Sequence, residues 1–501
     1  MNTKIYSATT LGINAFLVNV EVDISHTNTS FSIVGLADKA IQESRKRIQT
    51  VLKNNFIELK ETKITINLSP ASLKKEGTLF DVPIIVGILQ ALGDINLTDQ
   101  FMSETVFIGE ISLNGDINKV NGALPITNDM QLLGKKRIIV PYDNAHESSL
   151  IENIEVIALR NFNELFDYLR NYIQITPSYY EFKQTQREYA EDYSDIKSQN
   201  HAKRALQICG AGRHHIAMVG TPGSGKTMLA KRLHTIMPPM TFKQCVDVTK
   251  IYSINGNLKN SIVDQRPFRQ PHHSIYQAAL IGGGSTIPSP GEISLAHHGI
   301  LFLDEFTEFK RDSIEGLRQP LESGLVEISR VNYSVTYPAD FILVAAYNPC
   351  PCGFLGDTKN ICTCSPMGIA RYKNKLSGPL LDRIDIKVPL SSISYEEAKS
   401  SHDDSISSAT LKDGVNKAID RQLKRFNDEN RFNSHMTVQE INDYCKMTLK
   451  AETILQKVFN KLNMSMRSYH KILKVARTIA DMEESDLIDV IHIKEAIIYK
   501  T

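Results

Sequence analysis

The sequence has almost no net charge: its 57 Lys and Arg stand against 56 Asp and Glu. A balance this even excludes recognition of a polyanion by the surface as a whole, so any nucleic-acid contact has to be a local patch. Long apolar runs are missing too. The longest lies near Val82–Leu92 and is too short to span a bilayer, so no membrane partner is expected. The opening MNTKIYSATTLG has no basic segment followed by an apolar core. No secretory signal is read there, and the expected compartment is cytoplasmic. Cysteine is scarce, seven in 501 residues, which excludes a disulfide scaffold. Four of the seven nevertheless fall within fifteen residues, a grouping that points to metal before disulfide.

What is present has the size of two or three domains, each with its own core. Up to about residue 170, β-rich runs mix with amphipathic segments. KITINLS (63–69) alternates as a strand and DVPIIVGILQAL (81–92) reads as a buried helix. VFIGEISLNGDI (106–117) predicts a hairpin turning at Asn114-Gly115, and RIIVP (137–141) a buried strand. The stretch from Gln174 to Asp195 is rich in Tyr, Glu and Gln and reads as a linker. From Lys197 apolar strands alternate with helices, the pattern of a parallel sheet covered on both faces. IAMVG (216–220), GILFLDE (299–305) and FILVAAYN (341–348) are its strands. After about Ile393 the pattern turns helical. In SMRSYHKILKVARTIADME (465–483), Tyr469, Ile472, Leu473, Ala476 and Ile479 recur on one face, with Ser465 placed to cap the start.

The chemistry concentrates in GTPGSGKT: Gly220, Thr221, Pro222, Gly223, Ser224, Gly225, Lys226 and Thr227. It meets the full phosphate-loop pattern, directly after an apolar strand and before MLAKRLHTI. The glycines let the backbone wrap phosphate with its N–H groups inward, at the N-terminus of a helix. Lys226 supplies a cation to the β- and γ-phosphates of ATP, and the Thr227 hydroxyl is suited to ligate Mg²⁺. About eighty residues later ILFLDE ends a buried strand on two carboxylates. Asp304 would hold Mg²⁺, mostly through water, and Glu305 would polarise the attacking water.

Three further residues stay open at this level. Asn348 ends the next strand, either as a turn former or as a residue orienting the lytic water. Arg383 lies in SGPLLDRIDI, either as an ion-pair partner of Asp382 or Asp385 or as a charge delivered to a neighbouring subunit's nucleotide. Arg467, in the first turn of the late helix, is placed to reach ATP from the lid side. Cys350-Pro-Cys352 and Cys362-Thr-Cys364 supply four thiolates for a tetrahedral structural Zn²⁺, the alternative being reduced surface thiols or one redox pair. The pairs His272-His273 and His297-His298 are not read as metal ligands, because adjacent side chains in extended chain point apart. GLVEISRVNYSVTYPADF (324–341) reads as a hairpin around Arg330-Val331-Asn332, where Arg330 and Tyr333 offer a cation and a stacking face.

From Asp195 to the C-terminus the chain resembles the magnesium-chelatase-like AAA+ ATPases, most closely the YifB/ComM group. The shared stretches are RPFRQPHHSI (266–275), PGEISLAHHGILFLDE (290–305), AAYNPCPCGFLGD (345–357), LLDRIDI (380–386) and MRSYHKILKVARTIADME (466–483). The resemblance continues in VGLADKAIQESRKRI (34–48) and NLSPASLKKEGTLFDVPIIVGIL (67–89). It implies a multidomain α/β chain: a non-proteolytic domain resembling the Lon protease domain and a small-subunit ribosomal protein domain (1–172), a linker (173–194), an AAA+ core (195–392) and a helical lid (393–501). It further implies that Asn348 is the sensor-1 residue, Arg467 the sensor-2 arginine, and Arg383 an arginine finger acting in trans, in a hexameric ring with ATP at its subunit boundaries. In such rings the helix-2 insertion faces the pore and the pre-sensor-1 hairpin enters the channel; Arg266 and Arg269 in the insertion, and Lys310 and Arg311 soon after Asp304-Glu305, are then candidates to contact DNA phosphate. Where the Lon domain carries its catalytic Ser and Lys, this chain aligns Leu79 and Leu124, with Thr78 and Lys119 as the alternatives if the alignment is offset.

The expected function is an ATP-dependent hexameric DNA motor, a helicase driving branch migration of recombination intermediates, as in natural transformation. The rivals are a magnesium-chelatase motor subunit and a protein-remodelling ATPase.

Overall fold

The computed structural model describes all residues except 1, 27–29, 36–37, 58, 60, 74, 76, 185–188, 259–261, 285–287, 330–333, 358, 393–405 and 501. The N-terminal part is built on a seven-stranded mixed sheet. Strands β1 (Asn2–Leu11) and β2 (Asn14–His26) form a long antiparallel hairpin. Strands β3 (Ser30–Val34), β4 (Thr62–Ser69) and β5 (Thr105–Phe107) follow. The short hairpin β6 (Glu110–Ile111) and β7 (Ile117–Asn118) turns through Asn114-Gly115, with Gly115 in the left-handed region as such a turn requires. Strands β8 (Arg137–Pro141) and β9 (Glu155–Leu159) complete the sheet in the order β3-β4-β2-β1-β5-β8-β9.

Helix Asp81–Leu92 is apolar on nearly every face, and ten of its residues are buried. A helix that apolar has to be covered all round. Its first residue, Asp81, is fully buried and held by Arg47 at 2.9 Å and by the Ile111 amide at 3.1 Å, which offsets the cost of burying a carboxylate. Leu79 and Leu124 are both buried. Their apolar side chains cannot supply nucleophile or base. Of the offset pair, the Thr78 hydroxyl donates to Glu110 and the Lys119 ammonium to the Leu258 carbonyl at 3.3 Å, so each is bonded away from the other.

The segment read as a linker is irregular where described, but it is tied down. The Ser178 amide donates to the Val156 carbonyl, Phe182 packs 5.1 Å from Phe242, and Tyr193 is fully buried with its hydroxyl on the Leu229 carbonyl. A small apolar cluster of Leu124, Leu150, Met240, Cys245, Val248 and Ile262 joins the N-terminal part to the nucleotide-binding part.

The central part holds β10 (Ile216–Gly220), β11 (Phe268–Arg269), the two-residue hairpin β12 (Gly282–Gly283) and β13 (Ser289–Pro290), and β14 (Ile300–Leu303). The hairpin β15 (Leu325–Ser329) and β16 (Ser334–Pro338) comes next, then β17 (Ile342–Tyr347) and β18 (Ile386–Leu390). Five of these form a parallel sheet in the order β11-β14-β17-β10-β18. Strands β14 and β17 are buried almost throughout, as strands covered on both faces must be. The phosphate-loop strand β10 is therefore flanked by β17 and β18, which sets Asn348 beside it.

The C-terminal part is helical: Ser408–Phe426, Val438–Tyr444, Leu449–Lys461, Met466–Met482 and Val490–Ile498. Ser465 caps the fourth helix by accepting from the Ser468 amide, and Ile472, Leu473, Ala476 and Ile479 are buried, as their spacing predicts. Tyr469 packs at the edge of the same core. Among the described residues no helix is long and apolar enough to cross a membrane.

Candidate functional site: a nucleotide pocket and an arginine face

The phosphate loop leaves β10 at Gly220 and enters helix Lys226–Lys231 at once, with Gly223 and Gly225 in the left-handed region. Only glycine takes that conformation without strain, and two of them turn the amides inward. The Lys226 ammonium donates to the carbonyls of Gly220 at 2.7 Å and Thr221 at 2.9 Å, and to Oδ1 of Asn348 at 3.2 Å. Burial lowers its pKa from the ordinary lysine value. The Thr227 hydroxyl donates to Oδ2 of Asp304 at 2.8 Å. Two oxygen ligands this close, one neutral and one anionic, suit Mg²⁺ bridged to phosphate. Asn348 thus sits against Lys226, the lysine of the phosphate loop.

Glu305 follows Asp304 in the left-handed region, and its exposed carboxylate meets Nδ1 of His273 at 3.0 Å. Sequence reasoning set the two histidine pairs aside on the ground that adjacent rings point apart, and here the structure corrects it. The rings of His272 and His273 lie 4.1 Å apart and those of His297 and His298 3.8 Å apart. The chain is not extended there: His273 and Ser274 form a turn and His298 has φ 55°. His297 accepts from the Asp340 amide at 3.1 Å.

Arg383 pairs with neither Asp382 nor Asp385. Its Nη2 lies 2.5 Å from Oε2 of Glu322, and its Nη1 donates to the Pro379 carbonyl at 2.7 Å. Asp385 is taken by Lys471 at 3.0 Å. Arg467 reaches the other oxygen of Glu322, at 3.3 Å. Both arginines line a cavity of about 920 Å³, and no residue of 220–227 is among its lining residues. The fold therefore gathers Arg383 and Arg467 on one face and presents the phosphate loop elsewhere.

The four cysteines do converge. Their sulfurs lie within 4.8 Å of one another, with Cys350 to Cys352 at 3.4 Å, Cys350 to Cys362 at 3.7 Å and Cys352 to Cys362 at 3.6 Å. A tetrahedral Zn²⁺ with Zn–S of about 2.3 Å needs sulfurs about 3.8 Å apart, so the set fits that ion and is too open for disulfides. The backbone amides of Phe354 and Thr363 hold the Cys352 thiol well below its usual range, at about 6, while burial and the neighbouring thiols push Cys362 up to about 12. Gly353, inside this turn, packs directly on Pro222 of the phosphate loop.

The candidate strand-contacting residues divide. Arg266 is spent on the carbonyls of Pro238 and His298 at 2.8 and 2.7 Å, and Arg269 makes a two-pronged pair with Glu292 at 2.6 and 2.7 Å. Both serve internal structure here. Lys310 and Arg311 are exposed, and the Lys310 ammonium lies 4.5 Å over the ring of Tyr276, itself 71% exposed. Arg330 and Tyr333, between β15 and β16 in the sequence, lie outside the described residues. Sequence reasoning missed the roles of Tyr276, His273, Glu322 and Gly353, each of which meets its partner only through the fold.

Sheet order, phosphate loop, and the paired Thr227–Asp304 and Lys226–Asn348 contacts define an ATP-binding AAA+ protein. Family comparison agrees. The family described as Magnesium chelatase, subunit ChlI matches residues 192–398. Two more, described as Subunit ChlI of Mg-chelatase and Magnesium chelatase, subunit ChlI C-terminal, match residues 20–144 and 405–500. The chain is 38% identical over 506 residues to Competence protein ComM of Haemophilus influenzae, covering 99% of this chain and 97% of that one. It is also 38% identical over 500 residues to the YifB protein of Escherichia coli, covering 99% and 96%. A partial likeness to Lon protease 2 of Bacillus subtilis, 28% over 165 residues, covers 30% of this chain and 29% of that one. The chain belongs to the YifB/ComM group of magnesium-chelatase-like AAA+ proteins.

Proposed function

We propose that the protein is an ATP-hydrolysing motor that works as a hexameric ring and moves on single-stranded or branched DNA. The observation that carries the ring is the separation of the arginines from the phosphate loop. Lys226, Thr227, Asp304, Glu305 and Asn348 bind Mg²⁺-ATP and activate water, while Arg383 and Arg467 share Glu322 in a different cavity. A transition state for phosphoryl transfer needs added positive charge, and a neighbouring copy would deliver it from that face. Glu322 would yield both arginines to the phosphates of the nucleotide next door. Zn²⁺ bound by Cys350, Cys352, Cys362 and Cys364 would clamp the turn that leans on Pro222.

DNA as the substrate is supported by the exposed Tyr276–Lys310 pair and by the name competence protein carried by a relative matched along nearly its whole length. The N-terminal part would serve binding or assembly, because Leu79 and Leu124 leave it without a proteolytic pair. The testing experiment compares ATPase rates with no ligand, single-stranded DNA, forked DNA and unfolded protein at fixed salt, because phosphate contacts are strongly salt-dependent. Stimulation by DNA is expected. Stimulation by unfolded protein alone, with no DNA binding at low salt, would instead support a protein-remodelling ATPase. The family match to a magnesium chelatase subunit keeps a chelatase-type motor as the second reading; that role would require a partner subunit to stimulate turnover.

A further inference from the structure

The whole chain has a net charge of only +1, and helix Lys39–Asn54 departs from that balance. It carries five cations, Lys39, Arg45, Lys46, Arg47 and Lys53, against one anion, Glu43. The helix joins β3 to β4, packs on β3 and on helix Asp81–Leu92, and buries Ile41, Ile48, Val51 and Leu52. Arg47 is spent on Asp81 at 2.9 Å. Lys39, Lys46 and Lys53 recur at every seventh residue, which places them within about 20° of one line along the helix, opposite its buried face. All three are exposed, and among the described residues their ammonium groups have no ion-pair or hydrogen-bond partner.

Helix stability does not account for this row. Lys39 stands in a first turn with no acidic residue, where the helix dipole disfavours a cation. Glu43 is three or four residues from Lys39, Lys46 and Arg47, yet it forms no ion pair among the described residues. The positions between the lysines include Gln42, Glu43, Gln49 and Thr50, none of them apolar. A membrane-surface helix needs an apolar face and a protein interface an apolar centre. Neither is offered here. A row of lysines among amides and a hydroxyl matches the phosphate backbone of nucleic acid. From Lys39 to Lys53 the row runs about 21 Å, over which one strand of a duplex carries about six phosphates. The face has no aromatic ring on which the bases of a single strand would stack.

We propose that helix Lys39–Asn54 is a duplex-DNA contact in which Lys39, Lys46 and Lys53 each neutralise a backbone phosphate without reading sequence. The proposal rests on the DNA-motor reading for its ligand. It gives the N-terminal part a task apart from the nucleotide site, that of holding a duplex arm.

The test measures binding of a labelled blunt duplex and of a labelled oligo-dT by the full chain over a salt series. It compares the native protein with a triple variant, Lys39→Gln, Lys46→Gln and Lys53→Gln, and with the triple Lys→Arg variant. The changes are exposed, and an unchanged melting temperature verifies the fold. For the duplex, the slope of log affinity against log salt is expected to flatten by about 0.9 for each lysine removed. Between about 50 and 200 mM salt the native affinity should then fall roughly 40-fold more than that of the Gln variant. The Arg variant should keep the native slope. Equal duplex affinity and slope in the native and Gln proteins overturns the proposal and leaves the motor reading standing. A native protein that binds neither DNA at low salt overturns both. A slope that flattens for oligo-dT alone overturns the assignment to duplex. Binding to vesicles of anionic lipid that the Gln variant loses, with duplex binding intact, reassigns the face to a membrane surface.

Discussion

The contact between the cysteine turn and the phosphate loop can be tested with two glycines of the same turn. Gly353 has φ +87°, and a Cβ there would lie 2.7 Å from Cδ and 2.8 Å from Cγ of Pro222. Ordinary carbon contacts are about 3.5–4.0 Å, so the overlap is roughly an ångström against a residue of the phosphate loop. Gly353→Ala therefore carries two costs: about 1–2 kcal/mol for a side chain in the left-handed region, and about 1–3 kcal/mol for overpacking. Either the turn or the loop must move. If about half of that cost is relieved by displacing the loop, ATP binds roughly tenfold more weakly or worse, at about 1.4 kcal/mol per decade. Gly356 has φ +81° and nothing within 4 Å of its Cβ position. Gly356→Ala pays the backbone cost alone and should leave ATP affinity within about a factor of two of native, since surface changes away from a contact stay within about 0.5 kcal/mol. Titration with a fluorescent ATP analogue, with metal content checked in each preparation, separates the two. Equal affinities for both variants, with metal retained, would refute the argument that the turn braces the loop.

The four-cysteine set predicts one Zn²⁺ per chain by elemental analysis, lost when all four are changed to Ser, with weaker ATP binding in the stripped protein. Arg383→Ala should lower hydrolysis by about 10³ or more, while Lys226→Ala should lose nucleotide. Mixing these two inactive proteins should recover part of the activity, because each supplies what the other's boundary lacks; no recovery in mixed rings would place Arg383 in its own subunit's site. Burial lowers the pKa of His297 from 6.5 to about 4 and that of His298 further, with Arg213 also opposing their charge. Both are neutral when folded and gain protons on unfolding below 6.5, so the stability they carry is whole above that pH and falls as pH drops towards 4. At pH 5.5 the loss is about 1–1.5 kcal/mol for each, visible as a lower melting temperature at pH 5.5 than at pH 7.5.

Much of the site was legible because its parts are contiguous or fixed by spacing. The phosphate loop must follow a strand and open a helix, so eight residues disclose both local fold and chemistry. Asp304 and Asn348 were readable as ends of apolar strands, since a parallel sheet brings such ends to one edge. The cysteines were readable because two C-x-C pairs close together have few other uses. What was hidden depends on distance along the chain. Glu322 is 61 residues from Arg383 and 145 from Arg467, and no local pattern announces that it joins them. Arg266 and Arg269 read as free cations until the fold brought the Pro238 carbonyl and Glu292 against them. The histidine pairs misled because a turn and one left-handed residue, invisible in composition, rotate rings that extended chain would separate.

The measurement that bears most directly on a DNA motor follows a labelled four-way junction with homologous arms, incubated with the protein, Mg²⁺ and ATP. The account predicts that the branch point migrates with ATP and stalls without it. Glu305→Gln should bind ATP and DNA yet leave the junction unmoved, with hydrolysis down by about 10²–10⁴. A native protein that hydrolyses ATP at its full rate while the junction stays in place and DNA changes nothing would contradict the account.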